Sequence, residues 1–106
     1  MSRIMVKILL DDICYADYSN HYIQIHTPQR MYRTYMRFED FSKLLLCYPR
    51  FLCCYRNCIV NMDHVDSVDK HDFVMENGER VPIRVRGRKD VLDAYNHYFR
   101  IKSSGN

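Results

Sequence analysis

Apolar and polar residues alternate along the first third of the chain with the period of two that is typical of β-strands. Ile23 and Ile25, for example, fall on one face of a strand, and the polar residues between them fall on the other. The polar residues that precede this strand predict a hairpin turn. The strands predicted from this pattern are Ile13–Asp17, Tyr22–Thr27 and Met31–Tyr35.

The spacing of apolar residues then changes to three and four, which is the period of an α-helix. The first apolar stripe of this kind comprises Phe38, Phe41, Leu44 and Leu45. The helix is expected to end before Pro49, because a proline disfavours helical geometry in the residue that precedes it. A second helix is predicted over Lys89–Phe99, with Val91, Tyr95 and Tyr98 or Phe99 on its apolar side.

Short apolar segments bounded by polar residues fill the region between the two helices. They predict the strands Phe51–Tyr55, Cys58–Met62, Val65–Asp69, Phe73–Glu76 and Arg80–Val85. Asn77 and Gly78 form the strongest local signal in the chain, because both central positions of a type I′ turn need a positive φ. This dipeptide is therefore expected to form a type I′ hairpin turn between the last two strands.

The order of these elements predicts a mainly β fold with two short helices. Strands and helices do not alternate, so a parallel sheet is not expected. The chain has 106 residues, which is the length of one domain. Residues 1–10 are expected to be an N-terminal segment that contributes at most a first strand, and residues 100–106 a flexible C-terminal tail.

Several classes of protein are disfavoured by composition. No apolar run approaches the roughly 18 residues of a membrane span, and no signal sequence is recognisable, so a cytoplasmic protein is expected. The chain contains only three glycines, and neither a P-loop nor a dinucleotide-binding loop is present. Five cysteines are an odd number, and without a secretory signal they are expected to be reduced thiols.

Cysteines and histidines are candidates for metal binding and catalysis. Cys53, Cys54 and Cys58 are followed by His64, but adjacent cysteines on a strand point to opposite faces and converge poorly on one metal. These thiols are expected to fill core positions instead. No nucleophile elbow accompanies any of the five histidines. We therefore predict no enzyme activity, no cofactor and no metal site.

Charges are distributed unevenly in the last third of the chain. Between Met62 and Glu79 there are six acidic residues and one lysine, whereas Arg80 to Lys89 contains five basic residues and no acidic one. Arg84, Arg86 and Arg88 would lie near one edge, beside the unpaired N–H groups at the start of the second helix, and could hold phosphate there. The alternative is a solvated hairpin edge whose charges prevent aggregation.

Four segments in this order and spacing resemble the LytTR-type DNA-binding domain, the output module of bacterial response regulators. They are Asp12-Ile-Cys-Tyr-Ala-Asp17, His21-Tyr-Ile-Gln-Ile-His26, Tyr55-Arg-Asn-Cys-Ile-Val-Asn-Met-Asp-His-Val65 and Asn77-Gly-Glu-Arg-Val-Pro-Ile-Arg-Val-Arg86. The resemblance covers residues 11–99. It implies several small antiparallel sheets packed in series, which contact DNA with loops instead of a recognition helix.

The resemblance also implies which residues contact DNA. His21, Arg56 and Arg86 match the positions that contact bases in this family. Contacts to the DNA backbone are expected from Arg84, Arg88 and Lys89 because of their place in the basic segment beside the start of the second helix, independently of the resemblance. Tyr55 and Cys53 depart from the usual pattern next to Arg56, which bears on which bases are contacted.

Three functions follow from these observations. The first is a sequence-specific transcriptional regulator that is a monomer in isolation, pairs on paired sites in promoter DNA, and works with a receiver domain or sensor kinase pathway. The second is a protein interaction domain of the same fold that has lost DNA binding. The third is a small thiol redox or zinc protein built on Cys53, Cys54 and Cys58. Salt-dependent binding to random duplex DNA would separate the first function from the others.

Overall fold

The computed structural model describes residues 5–104, which form two antiparallel β-sheets and two α-helices. The larger sheet contains β1 (Tyr15–Ser19), β2 (Tyr22–His26), β3 (Met31–Thr34), β4 (Phe51–Tyr55) and β5 (Cys58–Asn61), in the order β3-β2-β1-β5-β4. The smaller sheet contains β6 (Val65–Val68), β7 (Asp72–Met75) and β8 (Arg80–Pro82). The helices are α1 (Phe38–Leu45) and α2 (Arg88–Ser104). The predicted fold class is confirmed, with all strands gathered in two sheets.

Two apolar cores lie on opposite faces of the larger sheet. One face packs against α1, and its core includes Ile23, Phe41 and Leu45. The other face packs against the smaller sheet and α2, and the core between them includes Phe73 and Val91. All four residues of β5 are buried because this strand lies between the two cores. The result is a sandwich in which the larger sheet is the middle layer.

The β1–β2 hairpin is closed by a two-residue turn. Ser19 pairs with Tyr22, and the two residues between them, Asn20 and His21, have φ values of 51° and 72°. Positive φ at both central positions is the pattern of a type I′ turn, and asparagine and histidine adopt this region more readily than most residues. β1 therefore extends to Ser19, two residues beyond the predicted strand end.

The prediction of a type I′ turn at Asn77 and Gly78 is wrong. Only Gly78 has a positive φ, at 89°, and its N–H donates to the Met75 carbonyl over 2.9 Å. This geometry is a three-residue loop in which a turn is followed by a left-handed glycine. The side-chain oxygen of Asn77 accepts the Glu79 N–H over 2.9 Å, a local bond that favours this turn.

Both ends of the described chain differ from prediction. Residues 5–9 have no regular structure and Leu10–Asp12 form a 3-10 turn, so no first strand forms within residues 5–10. Residues 1–4 and 105–106 lie outside the described part. α2 continues to Ser104, so a tail beginning at residue 100 is wrong for residues 100–104. Its last turn is held by Lys102, whose ammonium group bonds to Asp63. Among the described residues, no helix is long and apolar enough to cross a membrane.

Candidate nucleic-acid interface

Three connecting segments meet at one edge of the molecule. They are the β1–β2 turn, the β4–β5 turn and the segment between β8 and α2. β1 and β5 are antiparallel neighbours, so the first two turns lie at the same end of the larger sheet. The Tyr18 N–H donates to the Asn57 carbonyl over 3.1 Å, and the Arg84 N–H donates to the Cys54 carbonyl over 2.8 Å. These backbone bonds hold the three segments side by side, and we call them the loop edge.

The third segment leaves the smaller sheet earlier than predicted. β8 ends at Pro82, whereas the sequence predicts a strand as far as Val85. Ile83 still bonds to the His71 carbonyl over 2.8 Å, but the next residue, Arg84, bonds to β4 of the larger sheet. The change of partner bends the chain toward the β4–β5 turn and brings Arg86 to the loop edge.

Arg56 and Arg86 line the same open concavity. It has a volume of about 600 Å³, and Tyr55, Arg84 and Gly87 also line it. Both arginines are exposed, and neither forms a hydrogen bond or ion pair with another residue of the described chain. Two residues that are 30 positions apart therefore place unpaired guanidinium groups at one site.

His21 lies beside this concavity, at the tip of the β1–β2 turn. It is exposed and lines a second concavity of about 290 Å³ with Tyr18, Arg37 and Asn57. Asn57, which has a φ of 55°, directly follows Arg56 in the β4–β5 turn. The three predicted base-contacting residues consequently occupy adjacent parts of the loop edge.

Arg84 has a positioning role at this edge. Its Nη1 donates to the Cys53 carbonyl over 3.0 Å, and its side chain is half-buried. The guanidinium packs against Gly87, where an added Cβ would approach Arg84 Nε to 3.1 Å. Gly87 also has a φ of 80°, a conformation that favours glycine. Arg84 and Gly87 therefore pack together on either side of Arg86 along the chain.

Arg88 and Lys89, at the start of α2, are partly engaged within the protein. Arg88 donates to the Ile83 carbonyl over 2.8 Å and to His71 Nδ1 over 2.7 Å. Lys89 is exposed and bonds to Asp93 Oδ2 over 2.8 Å, which raises the pKa of the lysine. Of these two cations, Lys89 is the more available to a ligand.

The basic and acidic segments contact each other in the folded protein, although their charges are separated along the sequence. Arg80 forms ion pairs with Asp69 at 2.6 Å and with Asp72 at 3.3 Å. These contacts join β8 to β7 and to the β6–β7 connection, and they cannot be inferred from the charge run alone. Asn57, which connects the loops, was also missed, although asparagine in a short turn is a recognised signal for positive φ.

The motif Ile59-Val-Asn-x-Asp-His-Val65 has a structural role. Asn61 is fully buried, donates to the Ile13 carbonyl over 2.9 Å and accepts the Asp63 N–H over 3.0 Å. His64 contacts the Glu76 carboxylate at 2.8 Å through Nδ1 and the Asp11 carbonyl through Nε2. Burial lowers the pKa of His64, but these two hydrogen bonds outweigh it and the pKa is raised. The motif thus joins the N-terminal segment to the β7–β8 hairpin.

Asp63, in the same motif, anchors α2. It accepts hydrogen bonds from the Tyr98 hydroxyl over 2.7 Å and from the Lys102 ammonium. Burial acts to raise the pKa of Asp63, but these donors lower it further than burial raises it. Burial and the bond to Asp63 raise the pKa of Tyr98 to about 12.

The cysteines mostly pack in the interior. Cys54 and Cys58 fill core positions, as predicted, whereas Cys53 is half-buried beside Arg84. Burial raises the pKa of the Cys14 and Cys53 thiols, and contact with Cys54 raises that of Cys58. A high thiol pKa disfavours the reactive thiolate. Within residues 5–104, no three histidine, cysteine or acidic side chains are grouped so that they could hold a metal ion.

The two-sheet fold and its basic loop edge define a small, mainly β module. The family model of the LytTr DNA-binding domain matches residues 3–96, and the chain belongs to this family. A solved LytTr DNA-binding domain, from a Bacillus cereus protein described as a methyl-accepting/DNA response regulator, has the same fold. That chain is 20% identical, the match covers 89% of this chain and 86% of the other, and the TM-score is 0.70. No curated protein matches the chain.

The resemblance in the sequence is thereby confirmed. The family is one of DNA-binding domains and is not a family of enzymes. Similarity to a structure at 20% identity shows a shared fold only. The contacts of individual residues with DNA therefore stay predictions.

Proposed function

We propose that this module binds duplex DNA sequence-specifically and reads the major groove with the three segments of the loop edge. The observation that carries the proposal is the concavity shared by Arg56 and Arg86, whose exposed guanidinium groups have no partner in the described chain. Arginine pairs bidentately with the O6 and N7 atoms of guanine, which is the commonest specific contact in the major groove. Arg56 and Arg86 are accordingly assigned to guanine bases.

His21 is assigned to a third base, next to the two arginines. One imidazole nitrogen makes a single hydrogen bond, so its contribution is smaller than that of a bidentate arginine. Lys89 is assigned to a backbone phosphate, because it is exposed in the first turn of α2. Arg84 and Arg88 already donate side-chain hydrogen bonds within the protein, and their expected phosphate contacts depend on the donors that remain.

The module is proposed to act on paired sites in promoter DNA as part of a cytoplasmic signalling pathway. The Bacillus cereus protein with this fold is described as a response regulator, which supports control by a receiver domain or sensor kinase. Each module would bind one half-site, and two monomers would pair on the DNA.

The test has two stages, and the first is binding to random duplex DNA at increasing salt concentration. Affinity should fall steeply with salt, because cations that neutralise phosphates release counterions. A protein interaction domain requires no such dependence. Binding that is absent, or unaffected by salt, would refute the proposal.

The second stage selects bound oligonucleotides and compares variants on the preferred and scrambled duplexes. Arg56→Ala and Arg86→Ala should each cost about 1 to 3 kcal/mol on the preferred site and relax the choice of base at one position. The control is Arg30→Ala, which removes the same charge at the opposite end of β2 from His21. If the Arg86 variant kept the parent's specificity ratio, its role in base contact would be abandoned.

A further inference from the structure

Part of the larger sheet is left uncovered by the smaller sheet. Tyr15 on β1 packs in the core between the sheets, but the same face continues outward across β2 and β3. Gln24 lies opposite Asp17 on one side and opposite Arg33 on the other, so these residues share that face. We call the outward part of the face, formed by Tyr22, Gln24, Arg33 and Tyr35, the open face.

Arg33 on the open face is an ordered cation without an acidic partner. Its guanidinium carbon lies 4.7 Å from the centre of the Tyr22 ring. The Tyr22 ring in turn makes an edge contact with Tyr35, with the ring centres 6.0 Å apart. Within residues 5–104, Arg33 forms no ion pair and no hydrogen bond through its side chain. Asp17, which lies on the other side of Gln24 from Arg33, contacts His26 instead, with 3.2 Å between Asp17 Oδ1 and His26 Nε2.

Stacking on Tyr22 prepares Arg33 for binding. A guanidinium over an aromatic ring is partly immobilised before the ligand arrives, which reduces the entropy lost on binding. Its donors point along the plane of the group and match the oxygens of a phosphate. The open face therefore presents a pre-ordered site for a single phosphate.

The position of Arg33 relates this site to the loop edge. Tyr22 directly follows His21, and Arg33 lies opposite Gln24, about 10 Å from His21 along β2. The major groove of DNA is about 12 Å wide, and phosphates line its rim. A protein that brings His21 to base edges would bring Arg33 to the neighbouring backbone.

We propose that Arg33, held on Tyr22, binds a backbone phosphate of duplex DNA beside the base contacted by His21. The inference rests on the proposed function and extends the interface from the loop edge onto the open face. The contact fixes position and does not distinguish bases. It places the flanking base pairs on the His21 side within the footprint.

The chain offers a matched control for this cation. The Arg30 guanidinium carbon lies 4.9 Å from the centre of the Tyr32 ring, so it too is a stacked arginine close to β3. Tyr32, however, packs against the core beneath α1, on the other face of the sheet. Arg33→Gln and Arg30→Gln therefore remove the same charge and the same kind of contact from opposite faces.

The experiment measures affinity for the preferred and scrambled duplexes over a fourfold range of salt concentration. Arg33→Gln should reduce the steepness of log K against log salt by about 0.9 on both duplexes. Over this range of salt, the affinity of the variant should therefore fall by a factor about threefold smaller than that of the parent. The ratio of specific to scrambled binding should not change. Arg30→Gln should match the parent protein, and Tyr22→Leu should weaken binding without changing the slope, because it keeps the charge.

The outcomes separate this inference from the proposed function. If the parent binds with steep salt dependence and the two glutamine variants behave alike, the contact of Arg33 is refuted and the proposed function stands. A changed specificity ratio in Arg33→Gln would refute assignment to a phosphate. Tighter binding to single-stranded than to duplex DNA, lost in Arg33→Gln, would also overturn it. Absence of salt dependence in the parent would instead refute the proposed function.

Discussion

Replacing Gly87 with alanine tests how the loop edge is positioned. Gly87 has a φ of 80° and Gly78 a φ of 89°, so alanine at either position is held in a left-handed conformation. That conformation costs an L-residue about 1 to 2 kcal/mol. The two substitutions should therefore share this backbone cost, and Gly78→Ala is a matched control for Gly87→Ala.

The surroundings of the added methyl group distinguish the two variants. No atom lies within 4 Å of a Cβ at residue 78, whereas at residue 87 the Cβ would lie 3.1 Å from Arg84 Nε. Arg84 would have to shift by a few tenths of an ångström, which would weaken its 3.0 Å bond to the Cys53 carbonyl. A hydrogen bond from a charged donor contributes about 1.5 to 3 kcal/mol when buried, and the half-buried Arg84 should lie at the lower end. Because only part of this contribution is lost when the bond is weakened, Gly87→Ala should be about 1 kcal/mol less stable than Gly78→Ala.

Urea unfolding followed by circular dichroism gives the free energy of unfolding of both variants. Fluorescence anisotropy with the preferred duplex gives the affinity for DNA. Gly87→Ala should bind at least several-fold more weakly than the parent, because the path of the chain at Arg86 changes, whereas Gly78→Ala should bind like the parent. Equal stability and equal DNA affinity of the two variants would show that the contact between Arg84 and Gly87 does not position the loop edge.

Three further predictions concern pH and metal. Because the pKa of His64 is raised, the protonated ring stabilises the folded protein fully below about pH 6.5, and this stabilisation is lost as pH rises through the folded-state pKa. His64→Gln should therefore reduce the fall in unfolding free energy, measured with urea, as the pH becomes alkaline. The donors that lower the pKa of Asp63 stabilise the folded protein above about pH 4, and this stabilisation is lost as the carboxylate is protonated in acid. Lys102→Met should therefore lower the free energy of unfolding by under about 1 kcal/mol at neutral pH and weaken its dependence on acid pH. Elemental analysis of protein purified without a metal-affinity step should find less than about one zinc per ten chains; near-stoichiometric zinc would contradict the poor ligand geometry of the cysteines.

The sequence predicts strands and helices well where burial alone determines the pattern. β4 forms over the predicted residues, and α1 buries Phe41 and Leu45 from the predicted stripe. Leu44 of the same stripe is largely exposed, because it lies at the edge of the helix face that contacts the sheet. The turn at Asn77 and Gly78 was mispredicted because a side-chain bond of Asn77, rather than dipeptide preference, determines its form.

The candidate site was harder to predict, since it depends on contacts between distant segments. The charge run identified Arg86, but only the family resemblance identified Arg56 and His21. Their proximity arises from the pairing of β1 with β5 and from the departure of the chain from β8 at Pro82. Neither feature has a local signature in the sequence.

The backbone bonds across the loop edge also limit which DNA sites the module can accept. The bonds from Tyr18 to Asn57 and from Arg84 to Cys54 join main-chain atoms, so each loop is connected directly to its neighbour. Inserting one base pair between contacted positions moves the second position by about 3.4 Å and rotates it by about 35° around the helix axis. Loops joined in this way cannot follow that displacement independently. Operators for this module should therefore tolerate substitutions far better than insertions or deletions, and variation among them should preserve the number of base pairs between contacts.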